Sequence, residues 1–227
     1  MKILVISDIH GDVSFLEKLS DQFAESDFVL FAGDFAAFSH PETAQIVLDA
    51  LSRVQQTRVF SVLGNCDEPS FLSEIEKAGI NTQGKAVFFK GFTIAGSGGG
   101  SKFTGTTPYE RSEEDMVGDF AAVEKLKEEK QTNLILISHN PPKDTECDKV
   151  SSGAHVGSSL LRLFIEKHQP ILTVTGHIHE SAGISKIGDC VVVNPGSLAE
   201  GKYAIAELKQ NAQNVWNVEK VELCALS

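Results

Sequence analysis

Five short apolar runs stand out along the chain, at residues 3–6, 28–32, 59–63, 134–137 and 171–175. Each is rich in β-branched or aromatic residues and is followed by a glycine or a polar residue, a pattern typical of buried β-strands. Helical spacing follows the first two runs, with Asp12 as a helix N-cap and Pro41 as a first helical residue. These βα units predict largely parallel sheets covered by helices.

The remaining segments show other patterns. Residues 85–95 predict two short strands, and the glycine-rich residues 96–105 predict a flexible loop at the rim of a site. The charged residues 110–130 predict a solvated helix face, with Phe120 and Val123 on one side of the helix. From residue 182 onward, alternation and repeated turns predict antiparallel hairpins. No linker or change in composition divides the chain, so we expect a single domain over residues 1–227, with two packed sheets and helices outside.

Composition and charge exclude several classes of protein. With 227 residues, 41% of them hydrophobic, and only 7 prolines, the chain should fold around a core. No apolar run approaches the roughly 18 residues of a membrane helix and no signal peptide is evident, so we expect a cytoplasmic protein with no membrane partner. The four cysteines form no Cys-x-x-Cys pair and should be reduced thiols. A net charge of −11 without a Lys/Arg run disfavours a nucleic-acid partner.

The residues just beyond the five predicted strands form a candidate metal site. They comprise two carboxylates, one amide and four imidazoles: Asp8, His10, Asp34, Asn65, His139, His177 and His179. Oxygen ligands mixed with imidazole suit Mn, Fe, Zn, Ni or Co. Seven ligands are too many for one ion with an open position, but they suit two ions that share a bridging carboxylate. Each motif alone could be an ordinary turn or strand end, whereas five strands ending this way point to a site.

In order and spacing, these motifs resemble the calcineurin-like metallophosphoesterase superfamily, especially its small single-domain branch related to cyclic-nucleotide phosphodiesterases. The matching motifs are Asp8-x-His10, Gly33-Asp34, Gly64-Asn65-Cys66-Asp67, Ser138-His139, Gly176-His177-x-His179 and Asn194-Pro195-Gly196-Ser197. The resemblance implies a four-layer α/β/β/α sandwich of two mixed sheets with outer helices. It also implies that Asp8, His10 and His179 hold one divalent ion, that Asn65, His139 and His177 hold a second, and that Asp34 bridges them.

The activity implied is hydrolysis of a small phosphodiester or phosphomonoester by a hydroxide held between two metal ions, with manganese the expected metal. Asp34, Asn65, Cys66 and His139 would act in catalysis, and Asn65 and Cys66 would contact substrate. His155 lies in a loop that enters a predicted helix and is a further candidate contact to phosphate, with a capping or packing role as an equal alternative. Two alternatives remain open: a nuclease that uses the same centre, and a non-catalytic scaffold of the same fold. A homo-oligomer also remains open.

One position departs from the family's pattern. The superfamily usually has a histidine after the asparagine, where it touches the phosphate and assists the leaving group, but this chain has Cys66. A neutral thiol is a much poorer partner than an imidazolium. We therefore expect a weakened general-acid role at Cys66, and a purely structural role for this small residue is an equal alternative.

Overall fold

The computed structural model describes residues 1–54, 57–103, 105–127, 131–213 and 215–226. The strands are β1 (Lys2–Ile6), β2 (Phe28–Phe31), β3 (Val59–Ser61), β4 (Ala86–Phe89), β5 (Phe92–Ser97), β6 (Gly100–Ser101), β7 (Glu110–Arg111), β8 (Leu134–Ser138), β9 (Leu172–Val174), β10 (Gly183–Ile187), β11 (Cys190–Asn194), β12 (Lys202–Gln210) and β13 (Trp216–Ala225). The helices are α1 (Ser14–Lys18), α2 (Ser20–Glu25), α3 (Thr43–Val54), α4 (Leu72–Lys77), α5 (Glu113–Gly118), α6 (Ala121–Glu124) and α7 (Ser159–His168).

Two mixed sheets form the centre of the fold. The first has the strand order β13-β12-β1-β2-β3 and the second has the order β10-β11-β9-β8-β5-β4. Strands β1, β2 and β3 run parallel in the first sheet, and β5, β8, β9 and β11 run parallel in the second. Antiparallel strands complete the edges: β12 and β13 on one sheet, and β10 and β4 on the other. The predicted strands and C-terminal hairpins are therefore confirmed.

Alternation along the strands divides the buried side chains into layers. In β1, Ile3 and Val5 point between the two sheets, whereas Leu4 and Ile6 belong to a second cluster with Leu16 and other residues of the helices that cover the first sheet. A third cluster packs the outer face of the second sheet against α6, α7 and the Phe120 that precedes α6. The result is the expected α/β/β/α order, with one apolar layer between each pair of structural layers.

The parallel strands deliver polar residues to one edge of the sandwich. Asp8, Asp34 and Asn65 follow β1, β2 and β3, while His139 and His177 follow β8 and β9. Because parallel strands of one sheet end on the same side, each sheet gathers its polar residues at a single edge. The two edges meet directly, since Nδ1 of His139 in the second sheet donates a hydrogen bond to the carbonyl of Ala32 in the first, over 2.7 Å.

Two predictions for the middle of the chain are wrong. Residues 110–127 contain β7 and two short helices instead of one solvated helix, because Phe120 and Val123 are fully buried and Asp119 turns back to pair with Arg111. Lys130, the predicted end of that helix, lies outside the described residues. The glycines at residues 96–100 are buried, and Gly96 lies within β5, so this part of the stretch is packed backbone and not a flexible loop at a rim.

The predicted helix starts are also displaced. Helix α1 begins at Ser14, with Val13 as its N-cap, and the Asp12 carboxylate accepts a hydrogen bond from the Ser14 amide just before it. Helix α3 begins at Thr43, two residues after Pro41. The cause is local: the Thr43 hydroxyl accepts a hydrogen bond from the Ala37 amide, which holds the approach to α3 in a turn.

The four cysteines agree with the expectation of reduced thiols. All four cysteines are free, and Cys66, Cys147 and Cys190 are buried. Among the helices that the structure describes, none is long and apolar enough to cross a membrane.

Phe28 occupies the layer between the sheets, and its replacement tests how far the sandwich depends on that layer. The ring is fully buried and packs against Phe60, Phe89 and Phe92, with ring centroids 5.7–5.9 Å away. Phe28→Ala should lower the free energy of unfolding by about 3–5 kcal/mol, because it removes a large buried ring and leaves a cavity. Denaturant unfolding measures the change, and Phe103→Ala, at a side chain that is 91% exposed, is the control. Equal losses for the two variants would contradict this packing.

Candidate metal centre

Asp8, His10 and His179 bring three ligand atoms together at one side of the site. Nε2 of His179 lies 3.3 Å from Oδ1 of Asp8, and Nε2 of His10 lies 3.8 Å from the same oxygen. The two imidazole nitrogens are 3.1 Å apart. These three atoms, contributed by the loops after β1 and β9, could hold one metal ion.

Asp34 links this group to a second one. Its Oδ2 lies 3.7 Å from Nε2 of His10 and 3.4 Å from Nε2 of His139, so one carboxylate oxygen faces both groups of ligands. Oδ1 of Asn65 approaches the same Nε2 of His139, at 2.9 Å. The His177 ring is next to the His139 ring, with centroids 5.2 Å apart. The structure therefore brings together all seven residues that the sequence selected.

Hydrogen bonds at the outer ring nitrogens hold two of the histidines in the orientation that a metal ligand needs. Nδ1 of His10 donates to the Ala36 carbonyl over 3.0 Å, and Nδ1 of His139 donates to the Ala32 carbonyl. In a neutral imidazole the other nitrogen then carries a lone pair, and in both rings it points into the cluster. Lone pairs on Nε2 of His139 and Oδ1 of Asn65 would face each other, which is unfavourable unless a proton or a metal ion lies between them. These residues therefore fit a site for divalent cations.

The electrostatics of the cluster also favour a cation. Burial alone would lower the pKa of His139, but the charges of Asp34 and Asp8 outweigh burial and raise that pKa to about 9. Burial opposes ionisation of Asp34 too, yet His139 and His10 keep the pKa of that carboxyl below its usual value. His177 behaves differently, since burial and the charge on His139 lower its pKa to about 4. At neutral pH the His177 ring is therefore neutral and offers a lone pair.

The backbone is strained where it presents these ligands. Asp8, His10, Asp34 and His177 adopt left-handed conformations, with φ of 55°, 48°, 60° and 68° respectively. Such conformations cost a residue other than glycine roughly 1–3 kcal/mol each, and they persist only where the surrounding structure enforces them. Strained residues of this kind cluster at functional sites, and four of the seven candidate ligands carry this strain.

Asp67 enforces part of this geometry, and sequence reasoning gave it no role. Its fully buried carboxylate accepts hydrogen bonds from the amides of Gly64 at 2.7 Å, Ala36 at 2.7 Å and Asp34 at 3.1 Å. It thereby joins the loops after β2 and β3. Burial, followed by the charge on Asp34, raises the pKa of Asp67 to about 6. The only signal in the sequence was its place at the end of the motif Gly64-Asn65-Cys66-Asp67.

The motif at residues 194–197 braces the other side of the cluster. Ser197 donates through its hydroxyl to the Asp8 carbonyl at 2.7 Å, and Asn194 donates through its side-chain amide to the Ile178 carbonyl at 2.9 Å. Ile178 lies between His177 and His179, so these two bonds hold the backbone beside three candidate ligands. The sequence comparison with the superfamily included this motif but gave it no role. In the structure its side chains position the backbone of the candidate ligands.

Two glycines allow the close approaches that the cluster requires. A Cβ atom at Gly64 would lie 1.9 Å from Oδ1 of Asp34, and one at Gly100 would lie 3.1 Å from the side chains of Asn65 and His177. Any larger residue at position 64 would displace the Asp34 carboxylate. Gly100, within the stretch expected to be a loop at the rim, instead forms part of the wall of the site.

Cys66 positions its neighbours in two ways. Its amide donates to Oδ1 of Asp34 at 2.8 Å, which leaves Oδ2 of Asp34 facing the histidines. Its sulfur accepts from Nδ2 of Asn65 at 3.6 Å, which turns the oxygen of that amide toward His139. Burial and the charge on Asp34 raise the pKa of the Cys66 thiol, so the thiol is neutral at physiological pH. This agrees with the neutral thiol expected from the sequence.

Cavities lined by described residues open around the cluster. The central cleft, about 470 Å³ in volume, is lined by His10, Asp34, Phe38, Asn65, Cys66, Thr107, His177 and His179. The outer cleft, about 350 Å³, shares Cys66 and Thr107 with it and extends past Ser39, His40, Pro41, Glu68, Gly105, Thr106 and Pro108. The side cavity, about 530 Å³, is lined by Val150, His177, Ile178, His179, Glu180, Glu200 and Lys202. A small ester therefore has direct access to the candidate ligands.

His155 does not join the seven ligands. Its Nδ1 pairs with the buried carboxylate of Asp148 at 2.8 Å, and among the described residues it does not line any of the three cavities around the cluster. Its contact with substrate stays a prediction.

The two sheets meet at an edge that carries imidazoles and a shared carboxylate, which is an arrangement typical of metal-dependent hydrolases. The sequence profile of the calcineurin-like phosphoesterase superfamily domain matches residues 1–211, and the chain belongs to this family. The family implies a dinuclear site for divalent metal ions, and the clusters of Asp and His described above could bind them.

Other known proteins are similar over nearly the whole chain. The uncharacterized protein MJ1162 of Methanocaldococcus jannaschii is 32% identical over 216 residues, which cover 93% of this chain and 94% of that protein. The crystal structure of TT1561 of Thermus thermophilus is 21% identical with a TM-score of 0.73, covering 99% of this chain and 98% of that one. The sulfate thiohydrolase SoxB of Thermus thermophilus, in complex with glycerol, is 13% identical with a TM-score of 0.59, and the alignment covers 99% of this chain but 56% of SoxB. The two structures support the fold.

Asp67→Asn tests the positioning role of the buried carboxylate. The asparagine side chain keeps one acceptor oxygen, but its N–H₂ group would face at least one of the backbone amides that now donate to Asp67. That hydrogen bond would be lost. Metal affinity should fall about 10–100-fold, as is typical when a group that orients metal ligands is lost. Titration of metal into metal-free protein measures it, and Asp49→Asn, an exposed carboxylate on α3, is the matched control. Unchanged affinity in a folded Asp67→Asn protein would show that Asp67 does not position the ligands.

Proposed function

We propose that this protein hydrolyses small phosphodiesters or phosphomonoesters at a centre of two divalent ions, with manganese the first metal to test. The observation that carries the proposal is the position of Oδ2 of Asp34, within 3.7 Å of Nε2 of both His10 and His139. Asp8, His10 and His179 would hold one ion and Asn65, His139 and His177 the other. A shared carboxylate oxygen between two sets of ligands is what a bridged pair of ions requires.

The chain's own residues prepare the site for substrate. When bound, two such ions would polarise phosphoryl oxygens and activate a water molecule for attack. His177 contributes a neutral ring, while the hydrogen bonds from His10 and His139 to backbone carbonyls prevent their rings from rotating. The amide and the thiol of Cys66 orient Asp34 and Asn65. The protein thus supplies a rigid arrangement before the ester arrives, so little reorganisation is needed during reaction.

The charges around the clefts favour a small substrate over a nucleic acid. Among the described residues that line the central and outer clefts there is no lysine or arginine, and Glu68 lies in the outer cleft. In the side cavity, Lys202 is paired with Glu200 at 2.6 Å. A nuclease would need cations along the phosphate backbone, and its affinity would depend steeply on salt. These clefts offer room and metal ligands for one phosphate group.

His155 is our proposed contact to substrate from a neighbouring loop. Asp148 fixes Nδ1 of its ring, and the ring is partly exposed. Val150 of the same loop lines the side cavity beside His177 and His179. A substrate that extends into that cavity would approach this loop.

A series of aryl phosphodiesters with different leaving-group pKa values tests both the activity and the consequence of Cys66. We expect metal-dependent hydrolysis that is much faster for good leaving groups, because the raised pKa of the Cys66 thiol makes it give up its proton far less readily than the imidazolium of a general acid would. Such an acid typically contributes about 10²–10⁴-fold. The measurement is log kcat/KM against leaving-group pKa, which should show a steep slope. Absence of metal-dependent turnover of every diester and monoester would contradict the proposed function.

Cys66→His provides the comparison within the same series. A histidine that fits this position should accelerate the poor leaving groups selectively and make the slope shallower, and metal content should stay the same because Cys66 is not a proposed ligand. Cys66→Ser is the control for loss of the sulfur alone. If native protein and Cys66→His gave equal slopes, another group would be supplying the proton, and the role assigned to position 66 would be wrong.

A further inference from the structure

Phe38 is a large, solvent-exposed apolar side chain beside the candidate metal ligands. It is 55% exposed, and it lines the central cleft together with Asp34, Asn65 and Cys66. In the described part of the chain, other phenylalanines near this edge, such as Phe31 and Phe35, are fully buried. Because this exposed ring lines the same cleft as the candidate ligands, it is placed where it could contact a bound substrate.

A tight turn keeps the ring in this position. The His40 amide donates to the Ala37 carbonyl at 2.9 Å, and Ser39 adopts a left-handed conformation with φ of 61°. Phe38 and Ser39 are therefore the two central residues of the turn, and a left-handed residue in the second of these positions is typical of a type II turn. Side chains at such a tip project away from the backbone, which is why Phe38 does not fold back into the core.

The same turn is tied directly to the candidate metal ligands. The Ala36 carbonyl accepts the hydrogen bond from Nδ1 of His10, and the Ala36 amide donates to Asp67. On the next residue, the Ala37 amide donates to the Thr43 hydroxyl at 2.8 Å. These three bonds fix the base of the turn relative to the metal centre. The turn that carries Phe38 is thus held at a defined place beside the candidate metal ligands.

The surroundings of the ring select the kind of group that could stack on it. The outer cleft continues from Cys66 and Thr107 past Ser39 to Glu68. No lysine or arginine is among the described residues that line either cleft. A second phosphate or another anionic group would therefore meet no cation and would face Glu68. A flat uncharged ring would gain stacking on Phe38 without that penalty.

We propose that Phe38 forms a subsite that binds a flat, uncharged aromatic ring carried by one ester group of the substrate. The substrate class would then be a phosphate ester with a single phosphate and an aromatic substituent, either an aryl group or a heterocyclic base. This inference rests on the proposed function, because it assumes that the phosphate binds at the metal centre. Phe38 would act in specificity, by contact with a part of the substrate that does not react.

Binding of phosphonates tests the subsite without requiring turnover. Their organic group is joined to phosphorus by a P–C bond, which a phosphoester hydrolase does not cleave. Calorimetric titrations of Mn²⁺-loaded protein would compare phenylphosphonate, cyclohexylphosphonate and methylphosphonate. We expect phenylphosphonate to bind about three- to tenfold more tightly than methylphosphonate, with cyclohexylphosphonate in between. Phe38→Leu should reduce the phenyl-to-methyl ratio to near one, and Phe38→Tyr should retain it. Phe103→Leu, at an exposed phenylalanine that lines neither cleft, should leave the ratio unchanged.

Each alternative result overturns a definite part of the inference. If both phosphonates bind native protein equally well, or if Phe38→Leu keeps the preference, the subsite is wrong while phosphoryl binding at the metal centre stands. If cyclohexylphosphonate binds as well as phenylphosphonate, the site recognises apolar bulk and not a flat ring. If 4-carboxyphenylphosphonate binds more tightly than phenylphosphonate, the requirement for an uncharged ring is wrong. If no phosphonate binds the metal-loaded protein, the proposed function itself is contradicted.

Discussion

The structure depends on one electrostatic constraint: two buried carboxylates and several imidazole lone pairs converge where the edges of two sheets meet. Asp8 and Asp34 are almost fully buried, and burial of charge is costly unless an opposite charge is present. The raised pKa of His139 shows how strongly this position favours a positive charge. A proton can supply that charge, and so can a divalent ion. The candidate ligands are arranged so that an ion would satisfy several of them at once.

The rest of the fold holds this unfavourable arrangement in place. The apolar layer between the sheets aligns the ends of β1, β2, β8 and β9, while the His139–Ala32 hydrogen bond links the two edges. Asp67 collects three backbone amides from two loops, and Ser197 secures Asp8 from the opposite side. The left-handed conformations of four ligands are possible because these contacts hold each loop at more than one point. The candidate site therefore depends on the ends of the strands and on the hydrogen bonds that hold their loops in place.

Sequence patterns predicted the parts of the structure that depend on local periodicity. Apolar runs located the strands, and the polar residue after each run identified a candidate ligand, because parallel strands end on the same side. The role of Asp67 was not predictable in this way, since its three partners come from two separate loops and no local pattern encodes a long-range hydrogen bond. The charged segment at residues 110–127 misled for a similar reason: burial of Phe120 and Val123 against the second sheet, and the Arg111–Asp119 ion pair, break it into short helices. The exposure of Phe38 likewise follows from a turn fixed by Thr43 and His10, which only the fold brings together.

The central claim is that Asp34 joins two sets of ligands into one dinuclear centre, and metal stoichiometry tests it most directly. Asp34→Asn keeps the shape of the side chain but replaces one carboxylate oxygen with an N–H₂ group that cannot bridge. Equilibrium dialysis against Mn²⁺ followed by elemental analysis should give two ions per native chain. It should give at most one for Asp34→Asn, while the exposed control Asp49→Asn should keep both. Two ions retained by Asp34→Asn, or a single ion in the native protein at saturating metal, would contradict the account.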